Sequence, residues 1–342
     1  MKKMYIVLSV LLIFLSLLTY KTNEKNKINL KLILKGDKII TLNLGQKYQE
    51  SGYNATLNGK NVNKKVTVNS NLQNKPGTYE ITYKIKYKNE TATAYRFIKI
   101  KNKPAYKEEY NQIENQNRGW WSNNKKNKTR PSGGADINEL KKYNAYFMGK
   151  NEKTLYLTFD EGGNNTYLKE ILEILNQNNV KATFFLCKNY ILNNKDLINK
   201  IVDTGHTIGN HTWHHLNMPS LATKENFEKY IEEIQSTEEA YSKITGKQME
   251  KIYRDPRGEW SFRDLQIMKD LGYKSFFYSA DYHDYDENVT KEKALAELEK
   301  RVHNGAIYLI HPKNKGNYLA LDTFIKEMKK QDYKFDLVKN IN

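Results

Sequence analysis

The sequence predicts an α/β domain on a parallel sheet, preceded by a small all-β sandwich and an N-terminal hydrophobic segment. Three observations carry this. Short apolar runs alternate with amphipathic helical stretches over the last two-thirds of the chain, a period-two pattern fills Leu30–Lys101, and uncharged residues run unbroken from Met4 to Tyr20. The 342 residues leave room for two or three domains, and 39% hydrophobic with 12% aromatic residues supply a core, excluding a wholly disordered chain. Six Pro and 18 Gly exclude a collagen-like fibre. One cysteine, Cys187, excludes an intramolecular disulfide framework and a cysteine-based zinc site. Directly after the apolar run Ala182–Leu186, it reads as a buried, inert thiol.

At the N-terminus, Lys2 and Lys3 precede the apolar stretch Met4–Tyr20, which as a helix would span about 25 Å. That is short for a bilayer core of about 30 Å but within the range that spans it, and no A-x-A-like cleavage site follows Tyr20. Residues 1–21 are therefore expected to be an uncleaved signal-anchor, with a cleaved signal peptide as the alternative. Either places the remainder outside the cytoplasm. The formal charge is +17, with 24 Lys/Arg against 8 Asp/Glu over Lys21–Ala135 and 30 against 31 over Asp136–Asn342. A basic first third suits a membrane surface or an anionic wall polymer. Without a zinc finger or RRM-type motif, nucleic acid is not expected as a partner.

Within residues 30–101, Tyr79, Ile81, Tyr83, Ile85 and Tyr87 alternate with Glu80, Thr82, Lys84 and Lys86, giving one apolar and one wet face. Pro76-Gly77 opens that strand and Asn58-Gly59 marks a tight turn. Several short strands over this length argue for a β-sandwich. Residues 102–117 are polar and aperiodic, a linker. Trp120-Trp121 can stack on sugar rings or plug a hydrophobic gap, and packing is the expectation.

Beyond the linker, strands are expected at Leu155–Phe159, Thr183–Leu186, Thr207–Gly209, Ile252–Arg254, Ser275–Ser279 and Ala306–Ile310. Helices are expected at Tyr167–Asn178, Lys195–Asp203, Lys224–Thr245, Arg263–Leu271, Lys291–Val302 and Leu319–Lys329. In the longest, Phe227, Tyr230, Ile231 and Ile234 share one face, with Glu228, Glu232 and Glu233 on the wet side. Such alternation gives a doubly wound sheet or a closed barrel, and in both the chemistry sits where strands end. Ionisable residues collect there: Asp160 and Glu161, then His211, His214 and His215, then Arg254 and Asp255, Asp281 and Asp284, and His311. All seven histidines lie between His206 and His311. His211 and His215, four apart, would share one side of a helical turn and grip a divalent cation together.

TFDEG (Thr158–Gly162), HTWHH (His211–His215), RDPRG (Arg254–Gly258), DYHDY (Asp281–Tyr285) and LIH (Leu309–His311) resemble, in order, the five motifs of the polysaccharide deacetylases. In this NodB-like carbohydrate esterase family 4 they run TFDDG, H-[ST]-x-x-H, R-x-P-x-G, D-x-x-D-W and L-x-H. The resemblance begins near Arg118 and is closest to the delta-lactam biosynthetic de-N-acetylases, through KITGKQ, GNHTWHH and GAIYLIH. It implies a distorted (β/α) barrel over residues 118–342. LGQKYQESGYNATLNGKNV and NKPGTYEITYKI likewise resemble bacterial Ig-like domains, here expected to act as a spacer.

The resemblance assigns roles. Asp160 becomes the general base, oriented by Arg254; His311 becomes the general acid, paired with Asp284. His211, His215 and Glu161 become the ligands of a divalent metal, Zn²⁺ first, with Mn²⁺ or Co²⁺ also suited to such donors. His214 stays outside the metal shell. Backbone N–H groups of Gly162-Gly163 are expected to cradle the oxyanion, and Pro256 and Tyr285 to line the substrate side. Glu161 departs from the family's metal-binding aspartate, Tyr285 from its tryptophan, and Asp281 completes D-x-x-D. The implied activity is metal-dependent removal of N-acetyl groups from peptidoglycan strands, on N-acetylmuramic acid during muramic delta-lactam formation in spore cortex. Deacetylation of N-acetylglucosamine in peptidoglycan or chitin-like glycans, or an inactive wall-glycan binder, are the alternatives.

Overall fold

A computed structural model describes residues 28–123, 128–163, 166–286 and 288–342. The expected anchor at residues 1–21 lies outside them. Among the described residues no helix is long and apolar enough to cross a membrane.

The first module carries strands β1 (Leu30–Leu34), β2 (Ile39–Asn43), β3 (Tyr53–Leu57), β4 (Lys60–Asn61), β5 (Thr67–Ser70), β6 (Gly77–Tyr87) and β7 (Glu90–Lys101). They form a three-stranded sheet, β1-β3-β4, and a four-stranded sheet, β2-β7-β6-β5. The Asn58-Gly59 turn between β3 and β4 has both φ angles positive (49° and 81°), the backbone that Asn-Gly adopts with least strain. In β6 the expected alternation holds: Ile81, Tyr83 and Ile85 are buried while Lys84 and Lys86 are exposed.

The second module contains β8 (Arg118–Gly119), α1 (Ile137–Lys142), β9 (Ala145–Tyr146), β10 (Thr154–Glu161), α2 (Leu168–Gln177), β11 (Thr183–Leu186), α3 (Lys188–Asn193), α4 (Lys195–Asp203), β12 (Thr207–Asn210), α5 (Met218–Leu221) and α6 (Phe227–Thr245). There follow β13 (Ile252–Tyr253), β14 (Glu259–Trp260), α7 (Phe262–Asp270), β15 (Lys274–Phe276), α8 (Lys291–Lys300), β16 (Ile307–Ile310), α9 (Lys315–Lys330) and β17 (Lys334–Phe335). The main sheet runs β16-β10-β11-β12-β13-β15-β9, with β17 on β10 and every neighbouring pair parallel. Among the described residues its edges meet through isolated bridges, Ala280 to Tyr308 and Met148 to Ala306, so the barrel is incompletely closed.

Strand β10 sets the layers. Leu155, Leu157 and Phe159 join the cluster formed with Leu168, Ile171 and Leu172 of α2 and Leu321, Phe324 and Ile325 of α9. Tyr156, on the opposite face, joins Phe185, Ile252, Phe276 and Ile307 inside the barrel. Each fully buried Leu or Phe contributes roughly 1.5–3 kcal/mol, so the apolar triplet on the helix side fixes which residues face inward. Thr158 and Asp160 therefore share the inner face with Tyr156.

Candidate active site

Parallel register brings the motif residues to one end of the sheet. Phe159 lies opposite Ile310, so the following residues, Asp160 and His311, leave neighbouring strands side by side. Glu161 pairs with Leu186, Leu186 with Asn210, and Asn210 with Tyr253, so His211 and Arg254 emerge in step one residue later.

Arg254 is buried and fully engaged. Its Nη1 donates to Asp160 Oδ1 (2.6 Å) and Thr158 Oγ1 (2.7 Å), Nε to the Phe276 carbonyl (2.9 Å) and Nη2 to the Phe277 carbonyl (3.2 Å). The guanidinium carbon sits 4.3 Å from the Phe185 ring centroid, a cation–π contact from below. This fork holds one oxygen of Asp160 and leaves Oδ2 to face the histidines, 3.9 Å from His211 Nε2. Thr158, which had no role in the sequence reading, is the second side chain that aims the arginine.

The histidine motif is not a helical turn. Thr212 (φ 67°) and His215 (φ 59°) are left-handed, although neither is glycine, and the segment folds back as a loop. Thr212 Oγ1 accepts from His215 N (3.1 Å), while Asn210 Oδ1 accepts from Thr212 N (2.9 Å). The two imidazoles still meet edge to face, with centroids 5.0 Å apart. The expected pairing survives, but the loop rather than helical spacing produces it. Its anchor is Glu233, which the helical pattern of α6 placed on the wet face. Glu233 is instead 1% exposed and accepts from Trp213 N (3.0 Å), His214 N (2.7 Å) and His214 Nδ1 (2.6 Å). His214 thus faces Glu233.

His211 Nδ1–H donates to the Arg254 carbonyl (2.9 Å), which leaves the Nε2 lone pair free. Burial keeps both rings neutral: it lowers the His211 pKa against the opposing pull of Asp160, and brings that of His215 down to about 4, aided by His211. Neutral imidazoles with directed lone pairs are what a cation requires.

Glu161 follows Asp160 as the last residue of β10. Its Oε1 accepts from Gly163 N (2.5 Å), and Oε2 is buried without a hydrogen-bond partner. Burial raises its pKa, although the Gly163 and Gly162 N–H groups, Lys313 and His311 pull the other way. Two consequences follow. The Gly162-Gly163 amides are turned to the Glu161 carboxylate, which corrects their assignment as the oxyanion cradle. The carboxylate within 4 Å of His211 Nε2 is that of Asp160. Cys187, expected to be buried, is so: its Sγ donates to the His211 carbonyl (3.1 Å), and burial pushes the thiol well above its ordinary range.

On the other side, His311 Nδ1–H donates to Asp284 Oδ1 (2.8 Å), and His311 N to Asp284 Oδ2. Burial opposes the imidazolium, but the hydrogen bond and charge of Asp284, with help from Asp160, outweigh it and raise the His311 pKa. Asn317 Nδ2 donates to the carbonyls of Asp284 and His311 (2.9 Å each). Asn314 caps α9, accepting from Asn317 N (2.8 Å). Tyr285 is 56% exposed, shares a 2.8 Å hydrogen bond with His283 Nδ1, and presents its ring edge-on 6.2 Å from His311. Pro256 is buried, opening a turn in which Arg257 (φ 58°) and Gly258 (φ 65°) are left-handed. Asp281 Oδ1 accepts from Ser122 Oγ (3.0 Å).

Among the described residues, no three His, Cys, Asp or Glu side chains already converge as a metal cluster. The donor chemistry nevertheless fits a divalent cation. Two neutral imidazoles lie side by side, His211 Nε2 faces Asp160 Oδ2 across a gap too wide for a hydrogen bond, and the neighbouring Glu161 Oε2 is buried and unsatisfied.

Residues 148–276 match the polysaccharide deacetylase family model, and 32–100 that of the bacterial surface protein Ig-like domain. The chain is 37% identical over 233 residues to the peptidoglycan-N-acetylmuramic acid deacetylase PdaA of Bacillus subtilis, spanning 67% of this chain and 87% of that protein. The chain belongs to the polysaccharide deacetylase family. The solved structure of B. subtilis PdaA, a family 4 carbohydrate esterase, covers 67% of the deacetylase at 34% identity and TM-score 0.63, with 98% of its own chain matched. The peptidoglycan-N-acetylglucosamine deacetylase PgdA of Listeria monocytogenes is 30% identical over 189 residues, 54% of the deacetylase and 38% of PgdA. The deacetylase is accordingly an enzyme, with an Ig-like module ahead of a family 4 esterase domain.

Proposed function

We propose that the deacetylase hydrolyses the N-acetyl group of muramic acid residues in peptidoglycan strands whose peptide has been removed. The freed amine then closes on the lactyl carboxylate to give the muramic delta-lactam of spore cortex. The observation that carries the chemistry is the pairing of two opposed dyads at neighbouring strand ends, Asp160–Arg254 and His311–Asp284. The similarity to PdaA, named for N-acetylmuramic acid, supports the choice of sugar.

Asp160, aimed by its hydrogen bond from Arg254, takes a proton from water as its oxygen adds to the acetyl carbonyl. His311, held protonated by Asp284, gives a proton to the amide nitrogen as the C–N bond breaks, releasing acetate and the sugar amine. His211, His215 and Glu161 would hold a divalent cation, Zn²⁺ first and Mn²⁺ or Co²⁺ otherwise. When bound, that ion polarises the carbonyl and acidifies water. Tyr285 would border the acetyl group. Residues 118–342 would form the catalytic domain, and residues 1–21 would anchor it to the outer face of the membrane, with the Ig-like module as spacer.

The test is acetate release from peptide-stripped and peptide-bearing murein, with mass spectrometry locating the lost acetyl group. Loss from muramic acid of stripped strands, abolished in Asp160→Asn and His311→Ala, is expected. Loss confined to glucosamine would replace the substrate, and activity surviving in both variants would overturn the roles.

A further inference from the structure

The Trp120-Trp121 pair divides its work. Trp120 is 7% exposed, stacked on Phe277 (centroids 4.1 Å, 11°), with its indole N–H on the Tyr278 carbonyl (2.9 Å). Trp121, the next residue of an extended segment, is 54% exposed. Among the described residues of the esterase domain, Trp121 and Tyr285 are the exposed large aromatic side chains, and packing explains neither.

Both stand at the active-site rim. Trp120 N donates to the Gly258 carbonyl (2.7 Å), tying the segment to the turn that follows Arg254. On the other side of Trp121, Ser122 Oγ donates to Asp281 Oδ1 (3.0 Å), at the start of the loop that carries Asp284 and Tyr285. Trp121 is therefore strung between the two loops that deliver the arginine and the acid-orienting aspartate. Its pyrrole edge faces Gly134, where an added Cβ would lie 3.6 Å from Trp121 Cδ1 and Nε1. An indole whose neighbours in the chain are hydrogen-bonded on both sides while its own surface stays open is a preorganised platform. The C–H bonds on a pyranose face carry partial positive charge and complement the negative face of an aromatic ring.

We propose that Trp121 is a sugar-binding subsite, stacking on a pyranose ring of the glycan strand next to the residue whose amide is cut. This rests on the glycan-strand substrate proposed above. The enzyme would then prefer extended strands over a single disaccharide too short to reach the indole.

The full chain, its Trp121→Ala and Trp121→Phe variants, and an Asp160→Asn background are compared on long peptide-stripped glycan strands and on the reduced disaccharide. Trp121→Ala should raise KM for strands about ten-fold more than for disaccharide, the factor to which roughly 1.4 kcal/mol corresponds. Trp121→Phe should recover most of it. In the Asp160→Asn background, Trp121→Ala should lose retention on strands with an unchanged melting temperature. Equal KM changes on both substrates, or equal retention, would overturn the subsite. If the wild type releases no acetate, the proposed activity fails and retention alone decides: loss in Trp121→Ala supports the subsite, equality refutes it.

Discussion

Replacing Asp284 by asparagine separates acid catalysis from the rest of the machinery. The carboxylate is 1% exposed and accepts from both Nδ1 and the backbone N of His311. Asparagine keeps the shape but supplies one acceptor and one NH₂, so one His311 donor must face another donor. A hydrogen bond to a charged group is worth about 1.5–3 kcal/mol, and each pH unit of differential stabilisation is about 1.4 kcal/mol. The His311 pKa should therefore fall by about one to two units. His311 is active when protonated, so the alkaline limb of the kcat profile should move down by that amount. On the alkaline side of the wild-type limb turnover should drop roughly ten- to a hundred-fold. Stability carries the same sign. A pKa raised in the folded state contributes stability below the unfolded value and loses it as pH rises through the folded one. The variant's deficit in melting temperature should accordingly be larger at pH 5 than at pH 9. Acetate release against pH, with melting curves on the same samples, checks both, and an alkaline limb that stays in place would refute the assignment of His311 as the acid.

Two further predictions concern the supporting shell. Glu233→Ala strands three donors of the histidine loop, and should weaken Zn²⁺ affinity by about ten- to a hundred-fold, read as a smaller zinc-induced rise in melting temperature; Glu233→Gln should restore part of it. Gly162→Ala puts a Cβ 2.9 Å from Cys187 Sγ and should cost roughly 1–3 kcal/mol in denaturant unfolding. Cys187→Ala in the same chain should return most of that loss.

The strand–helix order was legible because buried strands such as Thr183–Leu186 are continuous apolar runs and α2 and α4 are strongly one-sided. Two-residue strands such as β9 and β17 are too short to display a period, and they were missed. The long helix begins at Phe227 rather than Lys224. At the site, motif order located Asp160, Arg254, Asp284 and His311 because each ends or follows a strand. Nothing local announced left-handed backbone at Thr212 and His215, where glycine would be the ordinary signal. Glu233 was invisible for a related reason: a glutamate among Glu228 and Glu232 reads as solvated until a distant loop lays three N–H groups against it. Thr158, Asn314 and Asn317 serve backbone and neighbours, and no spacing rule marks such partners.

The wiring of Arg254 constrains how this enzyme can lose its activity by drift. Its guanidinium is sealed among two carbonyls, a hydroxyl and one carboxylate, with no water-facing escape. Removing Asp160 alone leaves a stranded cation, and breaking such a buried pair costs about 3–5 kcal/mol, a large fraction of a typical domain's stability. A lineage abandoning catalysis would find His311 or His215 easier to discard first, keeping the aspartate–arginine bond as scaffolding long after turnover had ceased.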